Sequence, residues 1–258
     1  MNPQILKKNN YSIDVKYFSF LTLFTIISCY TIAVFKGHVP VWLPYISDCA
    51  VGYPEAYIFR SGMTLSSLFL FLNSYEFYLF TNYHNKNWLP CISLIYSGIS
   101  NIGFATLAVV NEKEDDDLHL FGAVIFFAMQ GFYMWNNLIC IYYVNKNKKI
   151  KNQIYEVNKT MGLNFFDVDI DSKNINNNNL NFIKNNSKIF SNKSIIYKSL
   201  ITILYSADVI YLVIDEKNDE NGEKSAIYEW VAVILITMFN FSFILDYGKK
   251  ISLGILLN

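Results

Sequence analysis

Six times in 258 residues the chain runs through a predominantly apolar window long enough to cross a bilayer core, which takes about 20 residues in helix. The windows are 17–35, 57–80, 89–110, 118–144, 194–214 and 227–247. A soluble helical bundle would need one charged face on each helix, and FSFLTLFTIISCYTIAVF in the first window has none. Composition agrees: 53% of residues are hydrophobic, 16% are charged and the mean hydropathy is +0.23. The predicted fold is all-α, a polytopic six-transmembrane-helix bundle forming a single domain over 1–258. The run at 17–35 has no small-residue cleavage site after it and reads as an uncleaved first span.

Between the first two windows lies Pro44 to Arg60, PYISDCAVGYPEAYIFR. Pro40, Pro44 and Pro54 each remove a backbone donor and fix φ, so helix cannot run through the segment and a shaped loop is predicted. Arg60 is the sole arginine of the chain.

Lysine placement sets the expected orientation. With both termini cytosolic, 15 of the 19 basic residues outside the windows fall on the cytosolic side and Lys36, Lys113, Lys217 and Lys224 fall opposite. Residues 145–193 contain 14 asparagines and read as a low-complexity cytosolic loop without stable order. Its basic start suits anionic headgroups. Phe165 and Phe166 followed by Asp167, Asp169 and Asp171 form a weak adaptor-type motif there. The loop or the C-terminal tail is thus the candidate contact for a cytosolic protein partner. Asn10, Asn158, Asn185 and Asn192 open glycosylation sequons, all on the cytosolic side, and Asn240 opens one inside the last window, so no glycan is predicted.

Several function classes find no support. Net charge is zero, so nucleic acid is no partner. Cys29, Cys49, Cys91 and Cys140 do not form a disulfide framework. The acidic runs at 112–117 and 215–223 lack EF-hand spacing and read as solvated loops. His38, His84 and His119 are dispersed, and no nucleophile elbow, phosphate loop or zinc-helix motif is present. No enzyme activity, cofactor or metal is predicted. His119 with Asp48 or Glu229 has the composition of an acid/base pair, but a hydrogen-bonded structural histidine is the preferred reading.

A charged side chain at the centre of a membrane helix costs about 2.5 to 3.5 kcal/mol, so each one inside a window needs a reason. Glu76 follows Asn73 near the cytosolic end of the second window, Asp208 and Glu229 lie toward the outer side, and Asp246 has Lys249 and Lys250 at helical spacing. The middle of the membrane offers mainly Asn101, Gln130, Asn136 and Asn137, so no ion pathway is assigned. An outer cluster of Asp48, Glu55, Arg60, His119, Asp208 and Glu229 is expected, with Glu229 first and Asp208 second as partner of Arg60. Two readings stay open: a structural clamp that orients the first loop, which is preferred, and a pocket for a lipid headgroup. Membrane lipids are the expected small-molecule partners.

The segments PYISDCAVGYPEAYIFRSGM, NIGFATLAVVNE, HLFGAVIFFAMQGFYMW and YEWVAVILITMFNFSFILDYG resemble, in order and spacing, those of the Frag/DRAM/SFK family, and within it the damage-regulated autophagy modulator branch. The matching positions are Pro44, Ile46, Ser47, Asp48, Pro54, Glu55, His119, Gly122, Ala123, Glu229 and Asp246. The 145–193 insert departs from the compact loop of such proteins. The resemblance implies a six-span protein with cytosolic termini that acts in lysosomal or endosomal membranes as a positive modulator of autophagy. Other branches imply a plasma-membrane scaffold that influences phosphoinositide kinase recruitment and lipid distribution, or a Golgi factor in lipid remodelling of GPI anchors.

Overall fold

The computed structural model describes residues 12–84, 87–160, 190–215, 223–244 and 246, with side chains described for 14–82, 84, 87–147, 190–212, 225–244 and 246. Among the described residues six α-helices follow one another: α1 Ser12–Lys36, α2 Glu55–His84, α3 Leu89–Val109, α4 Asp116–Thr160, α5 Asn192–Asp215 and α6 Glu223–Phe241. Each expected window overlaps one of them; the last, 227–247, runs past the end of α6 onto residues that are in part outside those described. There is no strand among the described residues. Four of the helices are long and apolar enough to cross a membrane, over Asp14–Lys36, Leu89–Val109, Asp116–Asn147 and Asn192–Leu212. The other two differ for separate reasons. The α2 helix has the length but carries Arg60, Asn73 and Glu76, and α6 offers only the shorter apolar stretch Ser225–Phe241 before a turn at Ser242.

Local chemistry sets the ends. Gly37, with φ of +72°, closes α1: its amide donates to the Val34 carbonyl and that of His38 to Ala33, the paired bonds of a Schellman cap. Pro54 precedes α2, and its carbonyl takes the Tyr57 amide at 3.1 Å. At the head of α4 the Asp115 carboxylate accepts from the Leu118 amide at 3.0 Å, with Asp116 and Asp117 in the first turn, where the helix dipole favours negative charge. The reading of 145–193 as a loop without stable order is corrected in its first part: α4 continues past the fourth window to Thr160, because no glycine or proline interrupts 145–160 and its lysine, glutamine and glutamate residues are good helix formers. Residues 161–189, including Phe165 and Phe166, lie outside the described residues.

Consecutive helices pack on one another, and α6 packs on α1, so the six close into a ring. Large apolar side chains stand on its outer surface, and polar side chains are buried among the apolar core. Phe20, Phe24, Ile102, Phe121 and Ile203 stand exposed, while Asn73, Gln130, Asn137, Thr202 and Asn240 are buried. Buried amides and hydroxyls find each other between helices: Asn73 donates to Asn240 at 2.8 Å, Ser93 to Asn137, and Asn136 to the Leu89 carbonyl at 2.9 Å. An apolar exterior over hydrogen-bonded interhelical contacts is the arrangement that hydrocarbon demands. Helices α3 and α4 meet at glycines. A Cβ placed on Gly103 would stand 2.7 Å from the Gly122 carbonyl oxygen, and one on Gly122 3.1 Å from that of Gly103.

Candidate functional site: the first loop and its anchors

The loop between α1 and α2 returns over one end of the ring and is held at many points. A single 3₁₀ turn, Asp48–Ala50, packs against α1 and α2, and its Cys49 and Ala50 are buried together with Ile46. Tyr30 of α1 donates its hydroxyl to the Val41 carbonyl at 2.6 Å, and Lys36 donates to that of Tyr53 at 3.0 Å. Glu55, fully buried at the start of α2, accepts from the His38 Nδ1 at 2.7 Å. Helix α6, packed on α1, supplies two adjacent grips. The Glu229 Oε2 accepts from the Ile46 amide at 2.7 Å, and the Trp230 Nε1 donates to the Pro44 carbonyl at 2.9 Å. Tyr30 meets the Trp230 ring edge-on, with centroids 5.9 Å apart.

The pairing expected for Arg60 is corrected. Its guanidinium bonds Glu114 in the turn between α3 and α4. Glu229 is occupied with loop backbone, and that satisfies a buried amide that would otherwise have no acceptor. The Arg60 bond holds the Glu114 carboxyl below its ordinary range. His119 donates from Nδ1 to the Val110 carbonyl at 2.7 Å, tying the start of α4 to the end of α3. Asp208 sits apart in α5, 7% exposed, and its Oδ2 has no hydrogen-bond partner among the described residues.

Asp48, Glu112 and Glu229 form an acidic group beside the loop. Glu112 is pushed up to about 8, first by partial burial, then by hydrogen-bonding contact with Asp48 and the charges of Asp48, Glu229 and Asp116. Two carboxyls in contact share a proton more readily than they both ionise. Cys49 has its thiol pushed up to about 12, by burial first and then by Glu229 and Asp48, far from the range of a reactive thiolate.

A second polar centre, absent from the expected cluster, lies at the opposite end of the ring. Lys198 of α5 bonds the Asp246 Oδ2 at 2.7 Å, both side chains no more than 1% exposed, and Ser194 donates to the same oxygen at 3.0 Å. The Lys198 ammonium also lies over the Phe243 ring at 4.3 Å. The expected partners of Asp246, Lys249 and Lys250, lie outside the described residues; the partner seen is Lys198. The signal was available as a lysine inside one apolar window and an aspartate inside another. Glu76, 8% exposed, meets Asp14 of α1 at hydrogen-bonding range.

Of the positions that carried the resemblance, Pro44, Ile46, Glu55, His119, Glu229 and Asp246 each use a backbone or side-chain group in one of these contacts, and Gly122 lies at the α3–α4 crossing. Ser47 and Asp48 open the 3₁₀ turn, Pro54 precedes α2, and Ala123 follows Gly122 in α4.

Residues 15–250 match the family model described as Frag1/DRAM/Sfk1/Cwh43P N-terminal domain. The chain is 32% identical over 104 residues to DNA damage-regulated autophagy modulator protein 1 of Xenopus laevis. That alignment covers 38% of this chain and 44% of the relative, so the chain spans less than half the length of the curated relative it matches. No solved structure matches.

Proposed function

The chain belongs to the Frag1/DRAM/Sfk1/Cwh43 family, and on that premise we propose that it is a modulator of autophagy in the lysosomal or endosomal membrane, acting without chemistry of its own. The observation that carries the reading is the similarity to a relative whose name is that of an autophagy modulator. The geometry of the loop end supports a non-enzymatic role. Glu229, Glu55 and His38 fix the first loop, and Arg60 and His119 hold the turn between α3 and α4. The arrangement favours a clamp over a headgroup pocket, because Glu229 and Glu55 are bonded to the loop and Arg60 to Glu114.

In this reading all six helices span the membrane. Both termini and the 145–193 loop face the cytosol, and the clamped loop faces the lumen. The lysine distribution supports the orientation. The 145–193 loop or the tail offers the surface for a cytosolic protein partner, and membrane lipids surround the apolar exterior. Protease protection on sealed organelles should remove the 145–193 loop and spare the clamped loop; resistance of the former until detergent is added inverts the orientation. Imaging the tagged chain against organelle markers tests the site of action. Lysosomal or endosomal signal is expected, whereas plasma-membrane signal favours the scaffold or lipid-distribution role of other family branches and Golgi signal favours GPI-anchor remodelling.

A further inference from the structure

The part of the first loop that precedes the 3₁₀ turn, VPVWLPYIS at 39–47, holds no charged residue. Its two prolines, Pro40 and Pro44, also lack an amide hydrogen. Pro44 and Ile46 are buried, whereas Val41 and Trp42 stand 73% and 75% exposed. On a loop without charge, an exposed tryptophan beside an exposed valine is suited to a surface other than water.

Two bonds set the level of this tip. The Tyr30 hydroxyl holds the Val41 carbonyl at 2.6 Å, and the Trp230 Nε1 holds the Pro44 carbonyl at 2.9 Å. Tyr30 stands six residues before the end of α1, about 9 Å along its axis, and Trp230 seven residues after the start of α6, about 10 Å. Residues 41–44 therefore turn back beside the helices instead of rising away from their ends. Tyr30 belongs to the apolar span Asp14–Lys36, so the tip lies at a level where α1 is already a membrane helix. The exposed side chains Ile27, Thr31 and Phe35 follow one another at steps of four on α1, an outward row that runs up through this level. Leu43, between the two anchored carbonyls, has φ of +29°, a conformation unfavourable for leucine. That turn separates exposed Trp42 from buried Pro44, and the two side-chain donors flank it.

We propose that Val41 and Trp42 form an apolar finger seated in the phospholipid interface, where headgroups meet acyl chains, of the leaflet at the C-terminal end of α1. Tryptophan favours that depth because its ring is apolar and its N–H needs a polar partner. The amides of an irregular loop require the same depth, since hydrocarbon offers them no acceptor. Two side chains present far less than the roughly 800 Å² per partner of a stable protein interface, which disfavours a second copy of the chain or another protein as the cover. The finger rests on α1 crossing the membrane, and not on its orientation or on a role in autophagy.

The test is quenching of tryptophan fluorescence in the full chain, reconstituted in phosphatidylcholine nanodiscs that leave both faces open to aqueous iodide. The share of Trp42 is the difference between the wild-type chain and Trp42→Phe, a change at an exposed position that leaves Tyr30 and Trp230 in place. Phosphatidylcholine brominated near the top of its acyl chain should quench that share about threefold more strongly than lipid brominated at the chain end, and iodide should quench it little. Quenching by iodide without quenching by brominated lipid would stand the tip in water and overturn the proposal. Resistance to all three quenchers would put Trp42 under protein, either another part of this chain or a second copy, and overturn it as well. Strongest quenching from bromine at the chain end would contradict the interfacial depth.

Discussion

Glu229, near the start of α6, takes the amide hydrogen of Ile46 at 2.7 Å across a separation of 183 residues in sequence. With Trp230 on the Pro44 carbonyl, it joins the last helix to the first loop and so closes one end of the ring.

Replacing Glu229 by leucine leaves the buried Ile46 amide without its acceptor, a loss of about 1 to 3 kcal/mol. Glu229→Gln keeps an acceptor oxygen and should lose less. Arg60→Ala removes a pair at the rim of the bundle, where salt and water screen it, and should shift the thermal midpoint least of the three. Thermal unfolding in detergent together with proteolysis of residues 44–55 orders the variants. If Arg60→Ala proves the most damaging, Glu229 is not the main anchor.

The buried Lys198–Asp246 pair should respond very differently from Arg60–Glu114. Lys198→Met leaves the Asp246 carboxylate with Ser194 as its remaining donor among the described residues and should cost about 3 to 5 kcal/mol. Adding Asp246→Leu removes the stranded charge and should recover most of the loss. Expression level and detergent stability of the two singles and the double variant make the comparison, and equal damage in the double would show that the charges are needed for more than each other.

At the α3–α4 crossing, Gly122→Leu forces a branched side chain into the space held by the Gly103 carbonyl and Thr106. The helices must separate, at a cost typical of overpacking, about 1 to 3 kcal/mol. Gly98 has open space around its Cβ position, so Gly98→Ala should be neutral or slightly stabilising by helix propensity. Thermal midpoints of the two variants test the crossing.

Glu112 gives the loop end a pH dependence. Its folded pKa, about 8, is raised above its ordinary value of 4.5, so the folded state binds the proton more tightly. The stability this contributes is fully present below pH 4.5 and is lost as pH rises through about 8. Opening of residues 45–50 and 111–115, measured by hydrogen exchange corrected for intrinsic rates, should be rarer at pH 5 than at pH 9. Glu112→Gln should flatten the profile, and an unchanged slope in that variant would place the titrating group elsewhere.

The helices were legible because hydrocarbon leaves long apolar runs few alternatives, and Pro40, Pro44 and Pro54 marked the loop by excluding helix. Partner choice was not legible in the same way. Arg60 and Glu229 share a level in a drawn topology, but whether they touch depends on helix rotation and on the path of the 110–115 turn, which brings Glu114 to Arg60. Periodicity within one helix also drew attention to Lys249 and Lys250 as partners of Asp246, whereas Lys198 reaches it from a neighbouring helix. The continuation of α4 past 144 was hidden by asparagine content, although 145–160 contains no residue that breaks a helix.

The central claim is that the chain modulates autophagy, and flux measured in cells lacking it addresses that claim most directly. Turnover of autophagosome cargo, read with and without lysosomal inhibition, should fall on deletion, return with the wild-type chain, and return only in part with Glu229→Leu expressed to the same level. Unchanged flux on deletion, accompanied by altered phosphoinositide or lipid distribution at the plasma membrane, would contradict the account.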